Sequence, residues 1–217
     1  MKLPIFFIFF SIVTVVRSNL GFDSEKQTST IFASLFKCMK DNGYDFFVGR
    51  TYKGNGEVDY KGVQNIRNAL AAGLRNIDAY LIPCMTSNCP SADKQVTLAI
   101  NATKGTEFGT LWLNIELFQT WPADKFFNRQ FILDMINAAS KMRHSVGIFT
   151  TSNSWESVVG DWNGASEHPL WWLDYGGEPN FNNFTSFGGW ERPQVRKFNA
   201  NLKGPCDVGL IDVNYYD

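Results

Sequence analysis

The stretch LWLNIELFQTW, residues 111–121, decides how this chain folds. Leu111, Leu113 and Ile115 alternate with Trp112, Asn114 and Glu116, and that period of two predicts a buried strand over Thr110–Glu116. One face is aliphatic. The other ends in an amide and a carboxylate two residues apart. A carboxylate at the tip of an apolar strand is costly to bury unless it has partners or a chemical task.

Working outward, strand patterns recur at Leu20–Asp23, Asp45–Tyr52, Ile77–Pro83, Ser145–Thr150, Leu170–Tyr175, Gln194–Asn199 and Val208–Val213. Helix patterns separate most of them. Thr30–Asn42 carries the stripe Ile31, Phe32, Leu35, Phe36 and Met39, with Gly43 as a stop. Asp59, Ser91 and Asp124 are candidate starts for three further helices, the last containing Phe127, Phe131, Met135 and Ile136. A short helix is expected near Ser154–Val159. Eight strands alternating with helices predict an α/β fold, an irregular (β/α) barrel of mostly parallel strands. The last two connections are rich in Gly, Pro, Asn and Phe, so reduced helices are expected in the second half. An open doubly wound sheet is the structural alternative.

Residues 1–18 have the form of a secretory signal: Lys2, then an apolar run after Pro4, then Val16 and Ser18 before a cut ahead of Asn19. The run is short for a membrane anchor, the alternative. Removing 18 of 217 residues leaves 199, enough for one domain over 19–217. It also removes Lys2 and Arg17, so 20 basic residues become 18 against 21 acids, and the net charge moves from -1 to -3. That field argues against nucleic acid as a partner. A secreted monomer, or one in the lumen of the secretory or lysosomal pathway, is expected, with no membrane contact once the signal is gone. Cys38, Cys84, Cys89 and Cys206 suit an oxidising compartment and allow three pairings. The local pair Cys84–Cys89 would leave Cys38–Cys206 to tie an early helix to the final strand. A zinc site is the rival, but His144 and His168 lie far from the cysteines in sequence. No metal or cofactor is expected. Sequons at Asn101-Ala-Thr103 and Asn183-Phe-Thr185 agree with secretion.

In a parallel barrel the working face lies at the carboxyl ends of the strands. Asp23 closes the first strand. Asp78 and Tyr80 share a face of the third, Asn114 and Glu116 of the fourth, Trp171 and Tyr175 of the sixth, and Asp212 lies late in the eighth. Aromatic walls around acids suit a sugar, whose ring offers flat C–H faces and whose glycosidic bond breaks by acid chemistry. Each residue has a structural alternative. Glu116 can be a solvated acid, Asp23 a helix cap, Asp212 an ion-pair partner and Asp78 a hydrogen-bonder within the sheet. Trp171 and Trp172 are not both expected to face the core. Gly54-Asn55-Gly56 lacks the third glycine of a dinucleotide loop, and no Gly-x-Ser-x-Gly elbow is present.

Four segments in order carry a resemblance: Gly21-Phe22-Asp23, LWLNIE at Leu111–Glu116, LWWLDYGG at Leu170–Gly177 and GLIDVNYY at Gly209–Tyr216. Together they resemble the family-25 glycoside hydrolases, the Chalaropsis-type lysozymes, and in particular their secreted nematode lysozyme-like branch. The resemblance implies an irregular β/α barrel that cleaves the β-1,4 bond after N-acetylmuramic acid in bacterial peptidoglycan, in defence or digestion. It implies Glu116 as general acid, kept protonated in a partly desolvated cleft. Asp23 and Asp212 would be supporting carboxylates, and Tyr80 and Tyr175 sugar contacts. Asn114 is the departure, because the family has Asp there to stabilise positive charge while the substrate's acetamido group attacks. Two alternatives follow: a glycan-binding protein with little turnover, and a glycosidase of chitin-like polymers.

Overall fold

The computed structural model describes residues 20–24, 29–118 and 120–216; the signal segment lies outside them. Eight strands close in sequence order into a barrel: β1 (Leu20–Asp23), β2 (Tyr44–Tyr52), β3 (Asn76–Leu81), β4 (Thr110–Ile115), β5 (Ser145–Thr150), β6 (Leu170–Leu173), β7 (Val195–Lys203) and β8 (Leu210–Tyr216). The open sheet is thereby excluded. β1 to β7 run parallel, and β8 is antiparallel to both β7 and β1. Only residues 204–209 join β7 to β8, with one 3-10 turn at Pro205–Asp207. So short a connection cannot carry the chain back for a parallel strand.

The helices α1 (Ala33–Asp41), α2 (Tyr60–Ala71), α3 (Ala92–Ala102), α4 (Lys125–Lys141) and α5 (Ser152–Val159) follow β1 to β5 in turn. Between β6 and β7 no helix forms among the described residues. Asp59 caps α2 by accepting from the Gly62 amide, and Asp124 caps α4 by accepting from Phe126 and Phe127. Ser91 stands at the N-cap of α3 without capping it; its hydroxyl instead hydrogen-bonds Asp93 and lowers that carboxyl. Phe32, expected in the buried stripe of α1, is that helix's N-cap residue and points to solvent. Phe127, on α4, is also exposed.

β4 has two buried faces. Leu111, Leu113 and Ile115 pack outward in the shell shared with the helices, while Trp112 enters the barrel with Phe46, Val48, Tyr80, Ile82, Phe149, Trp171 and Val195. Those large rings fit because small residues oppose them. A Cβ at Gly21 would stand 2.3 Å from the Phe46 ring, and one at Gly147 2.3 Å from Trp112. Trp171 and Trp172 are both buried, one inside the barrel and one outside, contrary to the expectation that only one would be. Two disulfides, Cys38–Cys206 and Cys84–Cys89, tie α1 to the turn before β8 and close a short loop after β3.

Candidate functional site

The alternation of β4 carries on past its last residue. Trp112 and Asn114 point into the barrel, and Glu116 is the next inward position, at the carboxyl mouth. The backbone there is held on both sides. The Thr150 hydroxyl donates to the Ile115 carbonyl at 2.6 Å, and the Trp121 indole N–H donates to the Glu116 carbonyl at 3.1 Å. Glu116 is half-buried, whereas Asn114 has no exposed surface.

Lys197 on β7 organises the acids opposite. Its side chain is 3% exposed, and its Nζ lies 3.1 Å from Asp23 and 3.1 Å from Asp212. Asn214 Nδ2 donates to the second oxygen of Asp23 at 2.9 Å, and Trp171 Nε1 fixes Asn214 by donating to its Oδ1 at 3.0 Å. The Asn201 amide donates to Asp212 at 2.9 Å. The ammonium also lies 4.9 Å from the ring centre of Phe149 and 5.3 Å from that of Trp171. Three strands, β1, β7 and β8, therefore deliver one hydrogen-bonded cluster.

Burial pushes the Asp23 carboxyl up from 3.8 to about 6; Lys197 opposes this and Asp212 adds to it. Tyr175, in the connection after β6, is largely exposed, yet its phenol is also raised. Partial burial is the main cause; Lys197 opposes it, and Asp212, Glu116 and Asp23 add to it. The charges acting on it belong to Asp23 on β1, Glu116 just past β4, Lys197 on β7 and Asp212 on β8.

Three further residues expected at the site are buried or half-buried in the sheet. Asp78 sits near the amino end of β3 and accepts from the Thr110 amide and the Trp112 indole, each at 2.8 Å; this is its structural alternative. Tyr80 and Trp171 do point inward, but they are fully buried beneath the mouth, their rings edge-to-face at 6.0 Å. Both rings pack inside the barrel with Trp112 and Phe149. Asp23 and Asn114 are also covered, so a sugar meets them only when a covering group moves.

Lys197, Asn214, Thr150 and Trp121 were not singled out from the sequence. The available signal for Lys197 is its neighbour: Arg196 and Lys197 are consecutive cations in a strand covered on both faces, so each needs buried partners. Arg196 finds them on the outer side. It pairs with Asp174 at 2.9 Å and donates to the carbonyls of Asp174, Gly176, Glu178 and Asn180, holding the connection that carries Tyr175. Of two further cavities, one of about 580 Å³ includes His168, Trp190 and Gln194 at the opposite end of the barrel. Another, of about 670 Å³, lies beyond β2 around Arg50, Lys53 and Tyr60.

Comparison with known proteins agrees with this architecture. A family model described as Lysozyme-like protein 1 matches residues 16–198. Lysozyme-like protein 5 of Caenorhabditis elegans is 40% identical over 211 residues, covering 96% of this chain and 95% of that protein. Probable GH family 25 lysozyme 2 of Dictyostelium discoideum is 33% identical over 210 residues, covering 96% and 95%. A family GH25 lysozyme from Aspergillus fumigatus superposes with a TM-score of 0.71 at 20% identity, covering 91% of this chain and 93% of that one. The bacterial lysozyme from Streptomyces coelicolor gives 0.71 at 21%, covering 93% of each. At such identities the structural likeness speaks for the fold alone.

Proposed function

The chain belongs to the family-25 lysozyme-like proteins, and from that premise we propose that it is a secreted glycosidase hydrolysing β-1,4 bonds of bacterial peptidoglycan. The observation that carries this is Glu116, held at the barrel mouth where charges from β1, β7 and β8 converge. In the proposed step the Glu116 carboxyl gives its proton to the glycosidic oxygen as the bond to C1 breaks. The acetamido oxygen of N-acetylmuramic acid closes on C1. The Asn114 amide, once the groups covering it move aside, hydrogen-bonds that acetamido group. The Glu116 carboxylate then takes a proton from the water that opens the intermediate. Asp23 and Asp212 lend negative charge from the floor, and Tyr175 lies along the sugar. The proposed domain is 19–217, freed of its signal, acting in defence or digestion as a monomer without a cofactor.

A second function is favoured by two features of the same site. Asn114 carries no charge, and Lys197 sets a cation beside the two remaining acids. Losing one electrostatic group facing a developing positive charge costs roughly 3–4 kcal/mol of transition-state stabilisation. The protein would then hold glycan with little turnover.

Mass spectrometry of fragments released from purified peptidoglycan tests the proposal. Reducing-end N-acetylmuramic acid is expected, with chitin left intact. Equal release from chitin would redirect the activity to chitin-like polymers. Wall binding without release, together with release by Asn114→Asp, would establish the binding function instead.

A further inference from the structure

The segment following Glu116 turns large apolar side chains to solvent. Leu117 is 48% exposed and Phe118 62%; in the first turn of α4, Phe126 is 76% exposed and Phe127 47%. Single exposed apolar residues are ordinary, but a group of them beside a site is not. One of its rings, Phe127, is tied to the proton donor through contacts. The Trp121 indole holds the Glu116 carbonyl, Trp121 meets Phe131 edge-on at 6.1 Å, and Phe131 meets Phe127 at 6.0 Å. The surface therefore begins where the site ends, at the same mouth of the barrel.

Charge selects its occupant. Residues 117–123 contain no charged side chain. Asp124 is engaged as the cap of α4, Lys125 donates to the Glu156 carbonyl, and Arg129 donates to the Val159 carbonyl. A polybasic lipid-binding surface carries about four to eight clustered cations; this face has two, Lys125 and Arg129, each turned to a backbone carbonyl. A polymer of N-acetylated sugars offers neutral, flat C–H faces to the electron-rich faces of aromatic rings.

We propose that Phe118, Phe126 and Phe127 form a stacking platform for the sugars of the glycan strand next to the bond held at Glu116. The platform rests on the glycan function proposed above and adds to it the part of the strand the protein grips. The test compares Glu116→Gln, which blocks cleavage, with the same protein also carrying Phe118→Ala and Phe126→Ala. Both rings are exposed, and unchanged near-ultraviolet circular dichroism checks the fold. Binding to long uncrosslinked peptidoglycan strands is expected to weaken about tenfold in the triple variant. Equal binding by both proteins overturns the platform and leaves the function standing. Absence of glycan binding by Glu116→Gln itself overturns both. Binding to phosphatidylglycerol vesicles that is lost with the two phenylalanines makes the face a lipid contact and overturns the platform.

Discussion

Lys197 Nζ lies 3.1 Å from the carboxylate of Asp23, and both side chains are withdrawn from solvent. Asp212 shares the same ammonium at 3.1 Å. One buried cation therefore serves two acids that would otherwise repel each other. Burying charge is tolerable because every partner is hydrogen-bonded.

Replacing Lys197 by Met removes the cation and leaves the acids facing each other. Breaking a buried pair from one side costs about 3–5 kcal/mol. Guanidinium denaturation at pH 7 should show that loss. Carbon NMR of the Asp23 carboxyl should show its titration moving above about 6, since Lys197 is the largest lowering influence on it. An unmoved titration contradicts the ion pair.

Asp23 also imposes a pH dependence. Its carboxyl is raised from 3.8 to about 6, so the folded protein holds the proton more tightly than the unfolded chain does. The stability from this group is whole below the unfolded value and is lost as pH rises through the folded one. The full difference is about 3 kcal/mol, of which about 2 kcal/mol is lost between pH 4 and pH 6. Urea denaturation across that range should show this component, and Asp23→Asn should remove it. A slope of the same size in the variant would count against the assignment.

Arg196 is expected to fix the connection that carries Tyr175. Lysine cannot reproduce its planar fork of donors to Asp174 and four carbonyls. Arg196→Lys should lower stability by about 2–3 kcal/mol. Amide exchange over residues 174–180 should quicken while that of β4 and β5 is unchanged. Uniform acceleration everywhere would mean that Arg196 supports the whole barrel.

The two disulfides differ in the loops they close. Their sequence separations are 168 for Cys38–Cys206 and 5 for Cys84–Cys89. On chain entropy, the first contributes about 5 kcal/mol and the second about 2. Double serine replacements compared by guanidinium denaturation should keep that order; the reverse order would contradict the entropic account.

The barrel was legible because the alternation in LWLNIE assigns each residue of β4 to a face, and both faces are buried as the strand pattern requires. Face parity does not give depth. Asp78, Tyr80 and Trp171 share the inward side with Asn114 and Glu116, yet Asp78 lies near the amino end of its strand and the two rings lie under the mouth. Lys197 was hidden for another reason. It meets Asp23 across 174 residues of sequence, and no local pattern links positions so far apart. The local signals of Asp59 and Asp124 did carry through, because a cap acts within one turn.

The most direct measurement compares the wild-type protein with Glu116→Gln on purified peptidoglycan, counting new reducing ends of N-acetylmuramic acid. Glutamine keeps the shape of the side chain and removes its acid. The expected result is release by the wild type and a loss of at least about a hundredfold in the variant, with the fold and wall binding retained. Equal release by a folded Glu116→Gln protein would show that the proton comes from elsewhere.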